Sequence, residues 1–242
     1  MKDSIYAQLA RQTRNIAEEH QLLSRTIVIQ ARGLSVQEAI GDPEGDDFPL
    51  QKGKETLMQA DFGQALGQAF TDRYGNYEGS LQDVLGMDLD NNYRRALFVA
   101  TLNAVLRYLG QVEKTIHCRD QEPARCAKEL SKFIQEQYGQ VRIGQVGFQP
   151  RMVEELGESF DYRVLDLDPD NIATVRYGIQ LEGPEATDEV LDWSELLLVT
   201  GTTLVNGTID QFLGNKPVLF YGTTIAGAAS LMGWDRFCAC AS

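Results

Sequence analysis

Four consecutive apolar residues, Leu196-Leu197-Leu198-Val199, run directly into the polar segment Thr200-Gly201-Thr202-Thr203. A short apolar run with no polar alternation, closed by turn residues, is the pattern of a parallel strand covered on both faces, because such a strand has no solvent side. The flanking sequence supplies neighbours for it. Strands are predicted over 142–148, 162–167, 218–221 and 237–241, with helices over 150–157, 188–193 and 225–232 between them. A helix from Pro123, a favoured first-turn residue, to Tyr138 precedes them, with Ala127, Leu130, Ile134 and Tyr138 on one face. Strands alternating with helices give a doubly wound parallel sheet of Rossmann-like type.

The first half reads differently. A helix over 4–23 carries one stripe of Ile5, Leu9, Ile16 and Leu23, and a strand is expected over 25–30. Loop chemistry fills 41–54, strands follow over 56–62 and 67–71, a Gly/Tyr/Asn turn region spans 74–79, and helices fit 80–85 and 92–109. The expected fold class is therefore α/β, an N-terminal α+β domain over 1–115 followed by a Rossmann-like domain over 116–242. Within the last of those helices, 97–106 is apolar nearly all the way round, which implies burial on most sides. Asn103 interrupts that run. A buried amide must find partners, so Asn103 either ties down a neighbouring loop or faces a pocket between the domains.

Charge narrows the partners. The chain carries 22 Lys and Arg against 35 Asp and Glu, a net −13, and within 141–242 there are only 6 basic side chains against 15 acidic ones. Such a surface repels phosphate backbones and anionic lipid, so neither nucleic acid nor membrane is an expected partner, whereas a metal ion or a positively charged cofactor suits it. The N-terminus shows no signal-peptide pattern and no run approaches the 18 to 20 or so apolar residues needed to cross a bilayer. A cytoplasmic location is expected, with the four cysteines as thiols. Self-association is left open.

In an open parallel sheet, ligands bind beyond the C-terminal strand ends. After the first strand comes Gly144-Gln145-Val146-Gly147-Phe148-Gln149-Pro150, in which Pro150 stands where a dinucleotide fingerprint would need glycine. Asp166 at the end of the second strand is placed either to bind ribose hydroxyls or to cap the turn at Asp168-Pro169. The segment 200–208 is richest: Thr200, Thr202, Thr203, Asn206 and Thr208 fall within nine residues, with Gly201 and Gly207 permitting close backbone approach. Thr208 through Gln211 also fits a helix capping box. Gly222-Thr223-Thr224 repeats the theme. The candidate ligand-binding set is Gly147, Phe148, Gln149, Pro150, Asp166, Thr200 through Thr203, Asn206, Thr208, Gly222, Thr223 and Asn103.

The segment VTGTTLVNGT, together with GQVGFQP and the helix NAVLRYLG, resembles the heavy-metal chelation family, whose members combine an enolase N-terminal-like domain with a Rossmann-like domain. The resemblance continues upstream through DDFPLQKGKETLMQADFGQALGQAFTDRYGNYEGSLQDVLGM and TIHCRDQEPARC, and so covers most of the chain. It implies an N-terminal domain of enolase-N-like fold, a ligand site in the cleft between domains, and a role in making or handling metal chelators. The chain stops soon after the strand expected over 237–241, which leaves any later strand open.

His117, Cys118 and Cys126 form a candidate soft-metal set, with Cys238 and Cys240 expected on one face of the last strand. Their spacing matches no zinc-finger pattern, and buried structural thiols are the alternative. His20 is expected to be solvated, and no G-x-S-x-G elbow supports a hydrolase triad. Lys52, Lys54 and Glu55 either border the cleft or form a solvated charge run. Three functions compete: a small-molecule-binding and enzymatic cleft, a methyltransferase-like protein using S-adenosylmethionine, and a non-catalytic metal-binding or chaperone protein.

Overall fold

The computed structural model describes residues 4–23, 28–41, 50–52 and 55–242. Helix α1 (Ile5–Glu19) is opened by Ser4, whose hydroxyl accepts from Ala7 N, and buries Ile5, Leu9, Thr13 and Ala17 at four-residue spacing. Strands β1 (Val28–Gly33), β2 (Thr56–Phe62), β3 (Ala65–Thr71) and β4 (Tyr77–Ser80) make an antiparallel sheet in the order β3-β2-β1-β4. Short α2 (Val36–Ile40) follows β1, and α3 (Leu81–Leu85) follows β4; each starts in a capping box, Ser35 with Glu38 and Ser80 with Asp83.

Helix α4 (Asn92–Tyr108) comes next, then α5 (Glu122–Gln137). The second sheet is built from β5 (Ile143–Val146), β6 (Tyr162–Leu165), β7 (Val175–Arg176), β8 (Ile179–Glu182), β9 (Leu196–Thr200), β10 (Val218–Tyr221) and β11 (Arg236–Phe237). Helices α6 (Pro150–Ser159), α7 (Thr187–Trp193), α8 (Thr202–Asn206) and α9 (Ala226–Met232) connect them. The strand order is β11-β10-β9-β5-β6-β8-β7, parallel throughout except where β7 meets β8. Winding therefore reverses between β5 and β9. The chain is thus a mixed α/β protein of two sheets.

Several expectations are corrected. The β7–β8 hairpin was not anticipated; its turn, Tyr177-Gly178, has positive φ at both residues (51° and 79°), as a two-residue hairpin turn requires. The last strand ends at Phe237, so Cys238 and Cys240 do not share a strand face. The turn region at 74–79 yields to β4 from Tyr77, which pairs with Ala31 of β1. Segment 200–208 is a one-turn helix, α8, ended by Gly207 with φ 77°, and Thr208 makes no side-chain cap bond, so its capping box does not form. Residues 25–27 of the first expected strand and most of the 41–54 loop, Lys54 included, lie outside the described residues. Among the described residues no helix is long and apolar enough to cross a membrane.

Helix α4 joins the sheets. Eleven consecutive residues, Ala96 through Leu106, are buried, because β2 and β3 pack on one side and α8 and α9 on the other. Gly67 makes the first contact possible: a Cβ there would stand 2.3 Å from Ala100 O and from Ala104 N. A single apolar cluster runs from Phe62 and Phe98 through to Val199 and Phe220.

Asn103 sits at the centre of this contact, fully buried. Its Nδ2 donates to Gln68 O on β3 (2.9 Å) and to Thr223 O (3.2 Å) and Thr224 O (3.1 Å) after β10, while its Oδ1 accepts from Gly227 N of α9 (2.7 Å). The amide is spent on tying two sheets together, so Asn103 does not face the cleft. Substituting Asn103→Ala would orphan backbone groups from both sheets. It is expected to cost on the order of 3 kcal/mol, read as a lower urea midpoint; a midpoint unchanged from the parent would contradict this account of the junction.

Candidate functional site

The loops after β5, β6, β9 and β10 wall a cleft of about 650 Å³, and Glu55, Phe70 and Asp72 from the first sheet close its opposite side. Gly147 sets the entrance. Its φ is 91°, and a Cβ would fall 2.7 Å from Thr200 Cγ2, so only glycine lets the β5 loop cross β9 this closely. Gln145 Nε2 donates to Gly147 O and fixes that turn. Gln149 then caps α6 by accepting from Met152 N, with Pro150 as the first helical residue.

Hydrogen-bond bookkeeping identifies which groups are left for a ligand. Tyr221 Oη donates its single proton to the carbonyls of Gly147 (2.8 Å) and Val146 (3.1 Å). Burial raises the Tyr221 phenol well above its ordinary range, so it keeps that proton. The hydroxyls of Thr200 and Thr202 share one hydrogen bond at 2.8 Å, and Thr202 N donates to Thr200 Oγ1 at 3.4 Å. Whichever hydroxyl donates, Thr202 Oγ1 keeps hydrogen-bonding capacity for a ligand. Thr203 is turned inward onto Thr200 O. Asn206 lines the cleft, and its amide makes no hydrogen bond among the described residues.

Acidic side chains line both walls. Asp166 lies at the end of β6 and accepts from Phe148 N and Asp168 N, both at 2.7 Å, and from Asn171 Nδ2 at 3.4 Å. It therefore caps the turn and lines the cleft at once. Asp72 accepts from Asn92 Nδ2. Glu55 makes no hydrogen bond among the described residues; burial, and next the carboxylates of Asp166, Asp72 and Asp168, push its pKa up to about 7.

Of the ligand-binding candidates, Gly147 through Pro150, Asp166, Thr200 through Thr203, Asn206, Thr208 and Gly222 all line this cleft. Thr223 does not: it is buried beneath the surface, its carbonyl is taken by Asn103, and its hydroxyl has no partner. Its neighbour Thr224 lines the cleft instead and accepts from Phe70 N. Lys52 is exposed to solvent. Asp72, Asn171 and Tyr221 escaped the sequence reading. Tyr221 ends the Val218-Leu219-Phe220-Tyr221 strand, and its polar tip at a strand end was the available signal.

His117, Cys118 and Cys126 also line the cleft. Burial lowers His117 to about 4, leaving the imidazole neutral, and raises Cys126 to about 11 and Cys118 well above the ordinary thiol range. Among the described residues, no three or more His, Cys, Asp or Glu side chains are placed to hold a metal ion.

These features define a mixed α/β protein with a ligand-sized cleft at the strand ends of its parallel sheet. Residues 130–225 match the family model described as DUF364, "Putative heavy-metal chelation". The fold is similar to the 2.70 Å crystal structure of a DUF364 family protein of unknown function from Pyrococcus horikoshii, with TM-score 0.57 and 18% identity over 91% of this chain and 79% of that one. A DUF364 family protein of unknown function from Desulfitobacterium hafniense DCB-2 gives TM-score 0.49 and 16% identity over 73% of this chain and 72% of that one. No curated protein matches the chain.

The acidic wall carries a measurable consequence. With its pKa raised from an ordinary 4.5 to about 7, Glu55 holds its proton more tightly in the folded than in the unfolded state. The stability this contributes is fully present below about pH 4.5 and is lost as pH rises through 7. Glu55→Gln should therefore be more stable than the parent at pH 8, by at most about 3 kcal/mol, with the gap closing at pH 5. Denaturant midpoints at the two pH values check this; a gap that does not change with pH would contradict it.

Proposed function

We propose that this protein binds a small polar molecule in the cleft and that the molecule belongs to the synthesis or handling of heavy-metal chelators. The observation that carries the reading is the pairing of Thr202 Oγ1 and the Asn206 amide, both with unspent hydrogen-bonding capacity, at the end of β9 beside the point where the sheet reverses. That is where open α/β sheets hold ligands. The family match over 130–225 supports the chelator connection by its description. The order β8-β6-β5-β9-β10-β11 supports reading the second sheet as Rossmann-like, with the four-stranded sheet and its helices as the enolase N-terminal-like part. The chain's net charge of −13 supports a partner that is not nucleic acid.

A second reading, a methyltransferase-like protein using S-adenosylmethionine, is favoured by one observation: Asp166 ends the strand next to β5, where an acid meets ribose hydroxyls in related sheets. Both its oxygens already accept backbone N–H groups, which leaves fewer lone pairs for a ribose.

Ligand-observed NMR with a mixed library of small amines, alcohols, amides and carboxylic acids tests the cleft. Asn206→Ala and Thr202→Ala should each weaken the compounds bound by the parent about tenfold or more, with unchanged circular dichroism. Compounds that bind both variants as well as the parent, or a library without a single binder, would contradict the reading.

A further inference from the structure

The chain's four cysteines come from two segments far apart in sequence, 118–126 and 238–240, and the fold brings them together. The backbone makes the first contact: Ile116 and Ser242 exchange two N–H···O bonds, at 2.8 and 3.1 Å, two residues from Cys118 on one side and from Cys240 on the other. Side chains complete it. Arg125 Nε donates to Cys240 Sγ at 3.3 Å, and the Cys126 sulfur accepts from the backbone N–H groups of Ala239 and Cys240. Cys126 and Cys240 are buried, whereas Cys118 and Cys238 are only partly so and both line the cleft. Cys238 is the ionisable neighbour that acts most strongly on Cys118, and such coupling falls with distance.

Cys238 also stands beside a fixed cation. Arg236 donates from Nε to Gly222 O (2.9 Å), from Nη2 to Lys114 O (2.6 Å) and from Nη1 to Glu113 O (3.3 Å), which holds its guanidinium in place. The same guanidinium hydrogen-bonds the Cys238 sulfur, and the Ala241 N–H and the Lys114 charge add to it. Burial is the larger effect and raises the Cys238 thiol above its ordinary range, so the sulfur rests as a thiol with thiolate-stabilising groups already around it. Neither Cys118 nor Cys238 lies in a helix or strand, so a bond between them breaks no ladder.

We propose that Cys238 and Cys118 form a thiol–disulfide exchange site, open to the cleft, that takes small organic disulfides. The Cys238 thiolate attacks one sulfur of RS–SR, which forms a mixed disulfide and releases RS⁻. Deprotonated Cys118 then attacks the Cys238 sulfur, the mixed disulfide breaks, and the second RS⁻ leaves. Both thiol protons end on RSH, the organic disulfide gains two electrons, and the cysteines give them up in forming the Cys118–Cys238 bond. That bond ties the segment before α5 to the segment after β11 along the cleft wall. It asks nothing of Thr202 or Asn206, so it stands independently of the ligand site at the end of β9.

The reduced full chain, treated at pH 8 with millimolar bis(2-hydroxyethyl) disulfide and analysed by non-reducing mass spectrometry, tests this. The folded protein should lose two hydrogens, and its tryptic peptides 115–119 and 237–242 should appear as one linked species that dithiothreitol separates. Cys240→Ser should link in the same way. Cys118→Ser should stop at the mixed disulfide on Cys238, and Cys238→Ser should give neither product. Four thiols left free in the parent, oxidation only after unfolding in urea, a link through Cys126 or Cys240, or the same products from Cys238→Ser would overturn the proposal.

Discussion

The buried amide of Asn103 fixes where everything else can be. Its four bonds reach β3 on one side and, on the other, the turn after β10 and the start of α9, more than a hundred residues away in sequence. A helix with eleven consecutive buried residues has no polar face to orient it, so apolar packing alone would leave α4 free to rotate or slide at little cost. One amide whose partners must all be met removes that freedom, since any shift by a residue strands several buried groups at once. The cleft inherits its width from this junction, because Phe70 lies on β3 with Asp72 just past its end, and Gly222 and Thr224 follow β10.

With the walls fixed, the chemistry of the cleft follows from which groups the fold has already used. Tyr221 is consumed in holding the β5 loop to β10, and Thr200 and Thr203 in shaping the turn after β9. Gln149 and Asp166 divide their duties, one capping α6 and the other organising the Asp168 turn. What remains exposed to a ligand is narrower than the sequence suggests, and it is more acidic. Glu55 shows the cost: burial and three neighbouring carboxylates push its pKa up to about 7.

The parallel sheet was legible because its strands and helices alternate with the right periodicities, and Leu196 through Val199 could be little other than a central strand. The β7–β8 hairpin was not, since two- and four-residue strands of mixed polarity leave no periodic trace, and its Tyr177-Gly178 turn lacks the Asn-Gly or Asp-Gly signature. At the site, glycines and hydroxyls at strand ends could be read as a ligand loop, and nearly all of them line the cleft. The roles of Asn103 and Thr223 could not be read, because facing a pocket and bridging two sheets make the same demand on a buried polar side chain, namely a partner. Asp72 was hidden for a related reason: it reaches the cleft only through the packing of two sheets distant in sequence.

The account turns on a cleft that receives a small polar molecule at the end of β9. A crystal structure of the protein, soaked with a compound that binds in solution and refined to a resolution that separates ligand from water, measures this directly. The account requires density for that compound within hydrogen-bond distance of Thr202 Oγ1 or the Asn206 amide. A cleft holding only ordered water, with the compound seated elsewhere on the surface, would contradict it.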